Sequence, residues 1–100
     1  MLRHVVMFRW NPGTTPADVA DVQEGLGGLP AVIPEITRYQ FGPDAGINDG
    51  NAEFVVVADF ADVDGYLAYR DHPLHRALIA ERITPRIAER HAVQYIIDDA

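Results

Sequence analysis

The segment from Phe54 to Phe60 constrains the fold most, because its pattern is that of a β-strand with apolar side chains on both faces. One face carries Phe54, Val56, Ala58 and Phe60, and the other carries Val55, Val57 and Asp59. A strand with two apolar faces lies in a sheet that is covered on both sides. The chain therefore needs helices on one face of a sheet and a second covering surface on the other.

The first thirty residues predict a strand followed by a helix. From Leu2 to Trp10 the side chains alternate, with His4, Val6, Phe8 and Trp10 on one side and Arg3, Val5, Met7 and Arg9 on the other. A hydroxyl N-cap at Thr14 or Thr15 and a proline at position 16 then predict the start of a helix. Its apolar positions are Val19, Val22, Leu26 and Leu29.

The remaining segments predict two further strands and a broken helical region. Residues 36–41 form a second strand, residues 42–51 a loop, and Asp62 caps a helix from Val63 to about Asp71. Pro73 ends that helix and begins another, which Pro85 kinks or ends. The buried stripe of this second helix is Ile79, Ile83 and Ile87, and the fourth strand runs over residues 92–97.

This order, βαββαβ, predicts an α+β fold of the ferredoxin-like type over a single domain of residues 1–100. Four antiparallel strands form one sheet with the helices on one face. The opposite face would leave an apolar patch in water, formed by Val5, Met7, Val55 and Val57. We therefore expect a homodimer in which two such sheets pack face to face as a closed, barrel-like sandwich.

Composition removes several classes of function. All eight basic residues are arginine, fifteen residues are acidic, and the net charge of −7 argues against nucleic acid or an anionic membrane as a partner. The chain has no cysteine and no lysine, which excludes thiolate and Schiff-base chemistry. The N-terminal residues lack the pattern of a signal peptide, so we expect a cytoplasmic protein.

Candidate reactive side chains are concentrated around the helix break at Pro73. Tyr69 lies near the end of one predicted helix and His75 lies in the first turn of the next, so the break allows their side chains to converge. Histidine can take a proton near neutral pH, and a phenol in a dry pocket can stabilise an enolate. The alternative is that both side chains only close a helix junction.

The chain has three other histidines, His4, His72 and His91. His4 shares the strand face of Val6 and Phe8, where a polar side chain needs a partner. His72 and His75, beside Asp71, resemble part of a metal site, but no further spaced pair of ligands accompanies them. We therefore expect no bound metal and no cofactor. His91 is expected to be a solvated residue next to the last strand.

The chain also resembles a known family, the stress-responsive A/B barrel domain proteins, over almost its whole length. The resemblance rests on residues 4–10, Ile33 and Pro34, residues 54–60, and above all the segment from Tyr69 to His75, which contains an H-P-x-H element. It implies a ferredoxin-like protomer in a homodimeric α+β barrel. Most members of the family have no assigned chemistry, which leaves a non-catalytic stress-related dimer as an alternative.

Plant members of that family include a polyketide cyclase that closes an aromatic ring by aldol condensation without a cofactor. The resemblance implies that Tyr69 and His75 are the acid–base pair here. It also implies a pocket for a small apolar or aromatic molecule, lined by His4, Val6, Phe8, Val22, Leu26, Phe54, Val56, Ala58 and His72. Two positions differ from the cyclase, because Phe54 replaces a histidine and Leu26 replaces a tyrosine.

Overall fold

A four-stranded antiparallel sheet with helices on one face forms the fold, as the sequence predicted. The computed structural model describes residues 1–98, so the last two residues of the predicted domain lie outside the described residues. The elements are β1 (Leu2–Trp10), α1 (Pro16–Gly27), β2 (Arg38–Pro43), β3 (Phe54–Phe60), α2 (Val63–Asp71), α3 (Pro73–Leu78) and β4 (Ile87–Ile96). A π-helical turn (Ile79–Ile83) and a 3₁₀ turn (Thr84–Arg86) connect α3 to β4.

The strands lie in the order β2-β3-β1-β4, which places β1 and β3 in the centre of the sheet. His4 pairs with Ala58 on β3 and with Gln94 on β4. Side chains on this inner face of β1 and β3 are buried against the helices, and Phe8, Val56 and Phe60 are at most 2% exposed. Burial of these apolar side chains is the main stabilising contribution to the protomer.

The helix starts follow the capping signals of the sequence. Thr15 accepts a hydrogen bond from the Asp18 backbone N–H at 3.2 Å, and the Asp18 carboxylate accepts one from the Thr15 N–H at 3.0 Å. Asp62 accepts from the Gly65 N–H at 2.9 Å and so begins α2. Each cap satisfies a backbone donor that a helix N-terminus otherwise leaves unpaired.

Strand β4 corrects the prediction for the C-terminal region. The sequence prediction placed Ile87 in the buried stripe of a helix and began the strand at residue 92, whereas β4 begins at Ile87 itself. Pro85 explains the difference, because proline donates no backbone hydrogen bond and the helical segment ends in the 3₁₀ turn that contains it. Arg90 and His91 consequently lie within a strand rather than before it.

Two further boundaries differ from the prediction. The helix that begins at Pro73 is α-helical only to Leu78 before the π-helical turn. Strand β2 is shifted by two residues and reaches Pro43, opposite Phe54. Because β2 lies at the edge of the sheet, a proline there removes no hydrogen bond to a further strand.

The opposite face of the sheet carries the predicted apolar patch. Val5 pairs with Val57, and Met7 pairs with Val55, so the four side chains are neighbours on this outer face. Met7 is 39% exposed, and Val93 of β4 extends the patch with 52% exposure. Arg3 and Asp59 lie at the end of the patch and form two hydrogen bonds of 2.7 and 2.9 Å.

Candidate functional site

A cavity of about 490 Å³ opens between the inner face of the sheet and the helical region from α2 to the 3₁₀ turn. Its apolar lining comprises Val6, Phe8, Leu26, Val56, Ile79, Ala80 and Ile83. Its polar lining comprises His4, Tyr66, Tyr69, Arg70, His75, Arg76, Thr84 and Arg90. An apolar space of this volume with a few convergent polar groups has the form of a small-molecule site.

Most of the residues predicted for the pocket line this cavity. They are His4, Val6, Phe8, Leu26, Val56, Tyr69 and His75. The other four lie elsewhere. Val22 and Ala58 are fully buried in the core, and Phe54 stacks on Phe8 with ring centroids 6.4 Å apart. The His72 ring instead caps α3, where its Nδ1 accepts a hydrogen bond from the Leu74 N–H at 3.1 Å.

The break between α2 and α3 brings Tyr69 and His75 together. His72 has an extended backbone with φ −61° and ψ 131°, because the ring of Pro73 disfavours a helical conformation in the residue before it. The change of direction places the rings of Tyr69 and His75 4.1 Å apart with an interplanar angle of 38°. The two side chains therefore meet at the cavity wall through a ring contact.

The hydrogen bond of His75 fixes which of its ring nitrogens carries the proton. Its Nδ1 lies 3.1 Å from the carbonyl oxygen of Arg70, and a carbonyl oxygen can only accept. Nδ1 therefore donates, and Nε2 keeps a free lone pair. Burial lowers the pKa of His75, partly opposed by this hydrogen bond, so that the ring is neutral at neutral pH and Nε2 can act as a base.

In His4 the proton is on the other ring nitrogen from the one that carries it in His75. The Gln94 amide donates a hydrogen bond of 2.9 Å to His4 Nδ1, so Nε2 carries the proton. Burial is the largest cause that lowers the pKa of His4 to about 4, and the charge of Arg90 and the electrostatic effect of His75 contribute to that value in the same direction. At neutral pH, His4 is therefore a neutral hydrogen-bond donor in the same cavity as a neutral base.

Tyr69 has a second phenol behind it. The hydroxyl groups of Tyr39 and Tyr69 are 2.9 Å apart. Burial raises the pKa of Tyr69 to about 12, although the hydrogen bond with Tyr39 lowers it, and burial raises the pKa of Tyr39 further still. Either hydroxyl can donate in this pair, and with Tyr39 as the donor the Tyr69 proton stays free for a group in the cavity.

Sequence reasoning missed several residues of the site. Tyr66, Arg70, Arg76 and Arg90 line the cavity but were not predicted to do so. Arg90 had a usable signal, because a strand begun at Ile87 would have placed it opposite Phe8 on the inner face, as the structure does. Tyr39 and Gln94 had none, since their partners are 30 and 90 residues away in the chain.

The side chains weighed as metal ligands have other partners. Asp71 accepts two hydrogen bonds from Arg70, at 2.9 and 3.0 Å, and His72 accepts from the backbone of α3. Within residues 1–98, no three acidic or histidine side chains converge in a way that could hold a metal ion. In the same part of the chain, no helix combines the length and apolar character needed to cross a bilayer.

Comparison with known proteins gives a family match and several similar structures. The stress-responsive A/B barrel domain family model matches residues 2–97. A dimeric ferredoxin-like protein of unknown function from Thermobifida fusca is 49% identical, with a TM-score of 0.89 over 96% of this chain and 90% of that chain. Comparison with curated protein sequences gives no match.

Two more distant structures are similar in fold alone. A dabb family protein from Mesorhizobium loti is 22% identical, with a TM-score of 0.81 over 96% of this chain and 95% of that chain. A hydroxynitrile lyase from Passiflora edulis is 19% identical, with a TM-score of 0.85 over 99% of this chain and 94% of that chain. Identities this low do not carry an activity from one protein to another.

Proposed function

The chain belongs to the stress-responsive A/B barrel domain family, and on that premise we propose that it binds and converts a small molecule by cofactor-free acid–base chemistry. The molecule is apolar or aromatic and bears at least two carbonyl groups. One observation carries the proposal: a single apolar cavity contains a neutral imidazole base, a neutral imidazole donor and a phenol. The protein acts in the cytoplasm as a single domain.

The proposed assembly is a homodimer through the outer sheet face. Val5, Met7, Val55 and Val57 form a contiguous apolar surface that the helices do not cover. A second copy would cover it by two-fold symmetry, since a self-complementary patch is what such an interface requires. The Thermobifida relative, at 49% identity, is described as dimeric. The cavity lies on the inner face and stays open in this arrangement.

The proposed reaction begins with removal of a proton from the carbon next to the carbonyl group. His75 Nε2 takes that proton, while the Tyr69 hydroxyl and His4 Nε2–H donate hydrogen bonds to the carbonyl oxygen, where negative charge develops. The enolate carbon then attacks a second carbonyl carbon of the same molecule and forms a carbon–carbon bond. The resulting alkoxide takes the proton back from His75, so that the net reaction is an intramolecular aldol addition.

A deuterium-exchange assay tests whether His75 acts as the base, and it does not require the natural substrate. Benzylacetone, an apolar aromatic ketone, is incubated with the protein in D₂O, and loss of the proton signals next to its carbonyl is followed by NMR. We expect the wild-type protein to accelerate exchange and His75→Gln to abolish the acceleration. Tyr69→Phe should slow the exchange by about 10²-fold, since it removes one positioned proton donor.

A matched control uses His72, one of the two histidines that do not line the cavity. His72→Asn retains a side chain that can cap α3, because asparagine is a favoured N-cap residue. This variant should exchange benzylacetone protons at the wild-type rate. Equal rates in wild-type protein and His75→Gln would contradict the proposed role of His75.

A second candidate function is a non-catalytic dimer in which the same side chains are structural. It is favoured by the hydrogen bonds of His75 to the Arg70 carbonyl and of Tyr69 to Tyr39, which hold the helix break in place. In that case both His75→Gln and Tyr69→Phe lower the melting temperature, and the wild-type protein does not accelerate exchange. Thermal melts of the same variants therefore distinguish the two functions.

A further inference from the structure

The charges around the cavity differ in sign from those of the chain as a whole. The chain carries a net charge of −7, yet three arginines line the cavity. Among residues 1–98, no aspartate or glutamate belongs to the lining. The cavity thus combines an apolar interior with a positively charged wall, which favours a ligand that has one apolar end and one anionic end.

The three arginines are not equivalent. Arg70 is engaged by Asp71 in two hydrogen bonds. The Arg76 side chain makes no hydrogen bond or ion pair within residues 1–98, but it lies close enough to Asp71 for its charge to add to the hydrogen bond from Arg70 in lowering the pKa of that carboxylate. Arg90 makes no hydrogen bond or ion pair with any residue of the described part of the chain. Its neighbour Glu89 lies on the opposite face of β4, where it pairs with Arg9 at 3.5 Å and His91 at 3.7 Å. The Arg90 charge is therefore free to bind an anion.

The position of Arg90 directs that charge at the reactive groups. Arg90 pairs in register with Phe8, whose side chain faces the cavity. Its positive charge lowers the pKa of His4, His75 and Tyr69, which means that it acts on all three polar groups of the proposed reaction. A guanidinium is also the side chain best suited to a carboxylate, with which it can form two parallel hydrogen bonds.

We propose that the ligand is a small aromatic or aliphatic carboxylate whose anionic group binds Arg90 while its apolar body lies against Phe8, Val56 and Ile83. This inference rests on the proposed function, because it names the substrate class of the same cavity. The carbonyl chemistry then takes place on a keto acid with at least two ketone groups, held at its carboxylate end by β4. A keto acid has both the anion for Arg90 and the carbonyl group for Tyr69 and His4.

Two probes of the same shape and different charge test the inference. Hydrocinnamate carries a carboxylate, and hydrocinnamamide replaces it with a neutral amide. Binding of each to the protein is measured by titration calorimetry at low salt. We expect hydrocinnamate to bind about tenfold more tightly than the amide. This factor is smaller than for a buried charge-assisted pair, because Arg90 is exposed to solvent.

Variants at position 90 test whether Arg90 causes the preference for the carboxylate over the amide. Arg90→Met keeps a long apolar side chain without the charge, and it should bring the two affinities to the same value while amide binding is unchanged. Arg90→Lys should restore part of the preference. Arg82→Met is the matched control, since Arg82 pairs with Asp21 and does not line the cavity. This control should keep the wild-type preference.

The outcomes separate this inference from the proposed function. If the amide and the carboxylate bind equally to the wild-type protein, the cavity is a small-molecule site but the inference about charge is wrong. A preference that persists in Arg90→Met likewise overturns it. If neither probe binds, both the inference and the proposed function are contradicted.

Discussion

The buried imidazole of His4 should make the protein less stable as the pH falls from neutral towards 4. In the folded protein the pKa of His4 is about 4, compared with 6.5 in the unfolded chain, because burial and the charges of Arg90 and His75 disfavour the protonated ring. Gln94, Tyr66 and Tyr69 also lie against the ring, and none of them is a carboxylate that would favour its protonated form. Between pH 6.5 and 4, the unfolded chain therefore binds a proton at His4 that the folded protein does not bind.

The size of the effect follows from the two pKa values. The free energy of unfolding decreases as the pH is lowered wherever the unfolded state binds more protons than the folded state. Each unit of pKa difference between the two states is worth about 1.4 kcal/mol. Between pH 7.5 and 4.5 the loss due to His4 is therefore about 2 to 3 kcal/mol. His4 is only 4% exposed, so solvent screening does not reduce this figure much.

Urea unfolding at the two pH values measures the loss. Other groups titrate over the same range in wild-type protein and in His4→Gln, so the difference between the two proteins isolates His4. We expect the free energy of unfolding of wild-type protein to fall by about 2 to 3 kcal/mol more than that of His4→Gln. His72→Asn, which changes a histidine outside the cavity, should retain the wild-type dependence. Parallel profiles for wild-type protein and His4→Gln would refute the reasoning.

Three further predictions concern the dimer interface on the outer sheet face, the ion pair of Arg3 and Asp59, and the hydroxyl of Tyr39. Light scattering should give the mass of a dimer for wild-type protein, whereas Val57→Asp, which places an unpaired charge in the apolar outer face, should give a monomer or unfolded chain; a wild-type mass of 11.1 kDa would contradict the interface. Asp59→Asn should lower the free energy of unfolding at pH 7 by about 1 to 3 kcal/mol. Because the hydrogen bonds from Arg3 lower the pKa of Asp59, the difference from wild type should shrink as the pH falls below about 4, and a constant difference in urea melts would refute this assignment. Tyr39→Phe should lower the free energy of unfolding by about 1 kcal/mol and slow benzylacetone exchange less than Tyr69→Phe does; an equal or larger effect on exchange would show that Tyr39 is more than a support.

The elements that the sequence predicted correctly have local causes. The alternation of β1 and β3, the hydroxyl N-cap of α1 at Thr15, and the Asp62 cap each depend on residues only a few positions apart. The same holds for the helix break, because Pro73 restricts the residue directly before it. Convergence of Tyr69 and His75 could therefore be predicted from a segment of seven residues.

The features that the sequence did not predict depend on competition or on distant pairing. Ile79, Ile83 and Ile87 have helical spacing, but Pro85 ends the helical region and pairing with Trp10 draws Ile87 into β4. That error displaced the start of the strand and removed Arg90 from the predicted pocket. The hydrogen-bond partners of His4 and Tyr69 are Gln94 on β4 and Tyr39 on β2, so only the sheet register could identify them.

A structure of the protein crystallised with benzylacetone tests the central claim most directly. The account predicts ordered density for the ketone in the cavity between the sheet and the helix break. Its carbonyl oxygen should lie within hydrogen-bond distance of the Tyr69 hydroxyl, with the adjacent carbon facing His75 Nε2. Density for the ketone at another surface, or a cavity that holds only water at saturating ketone, would contradict the claim that this cavity binds and positions a carbonyl compound.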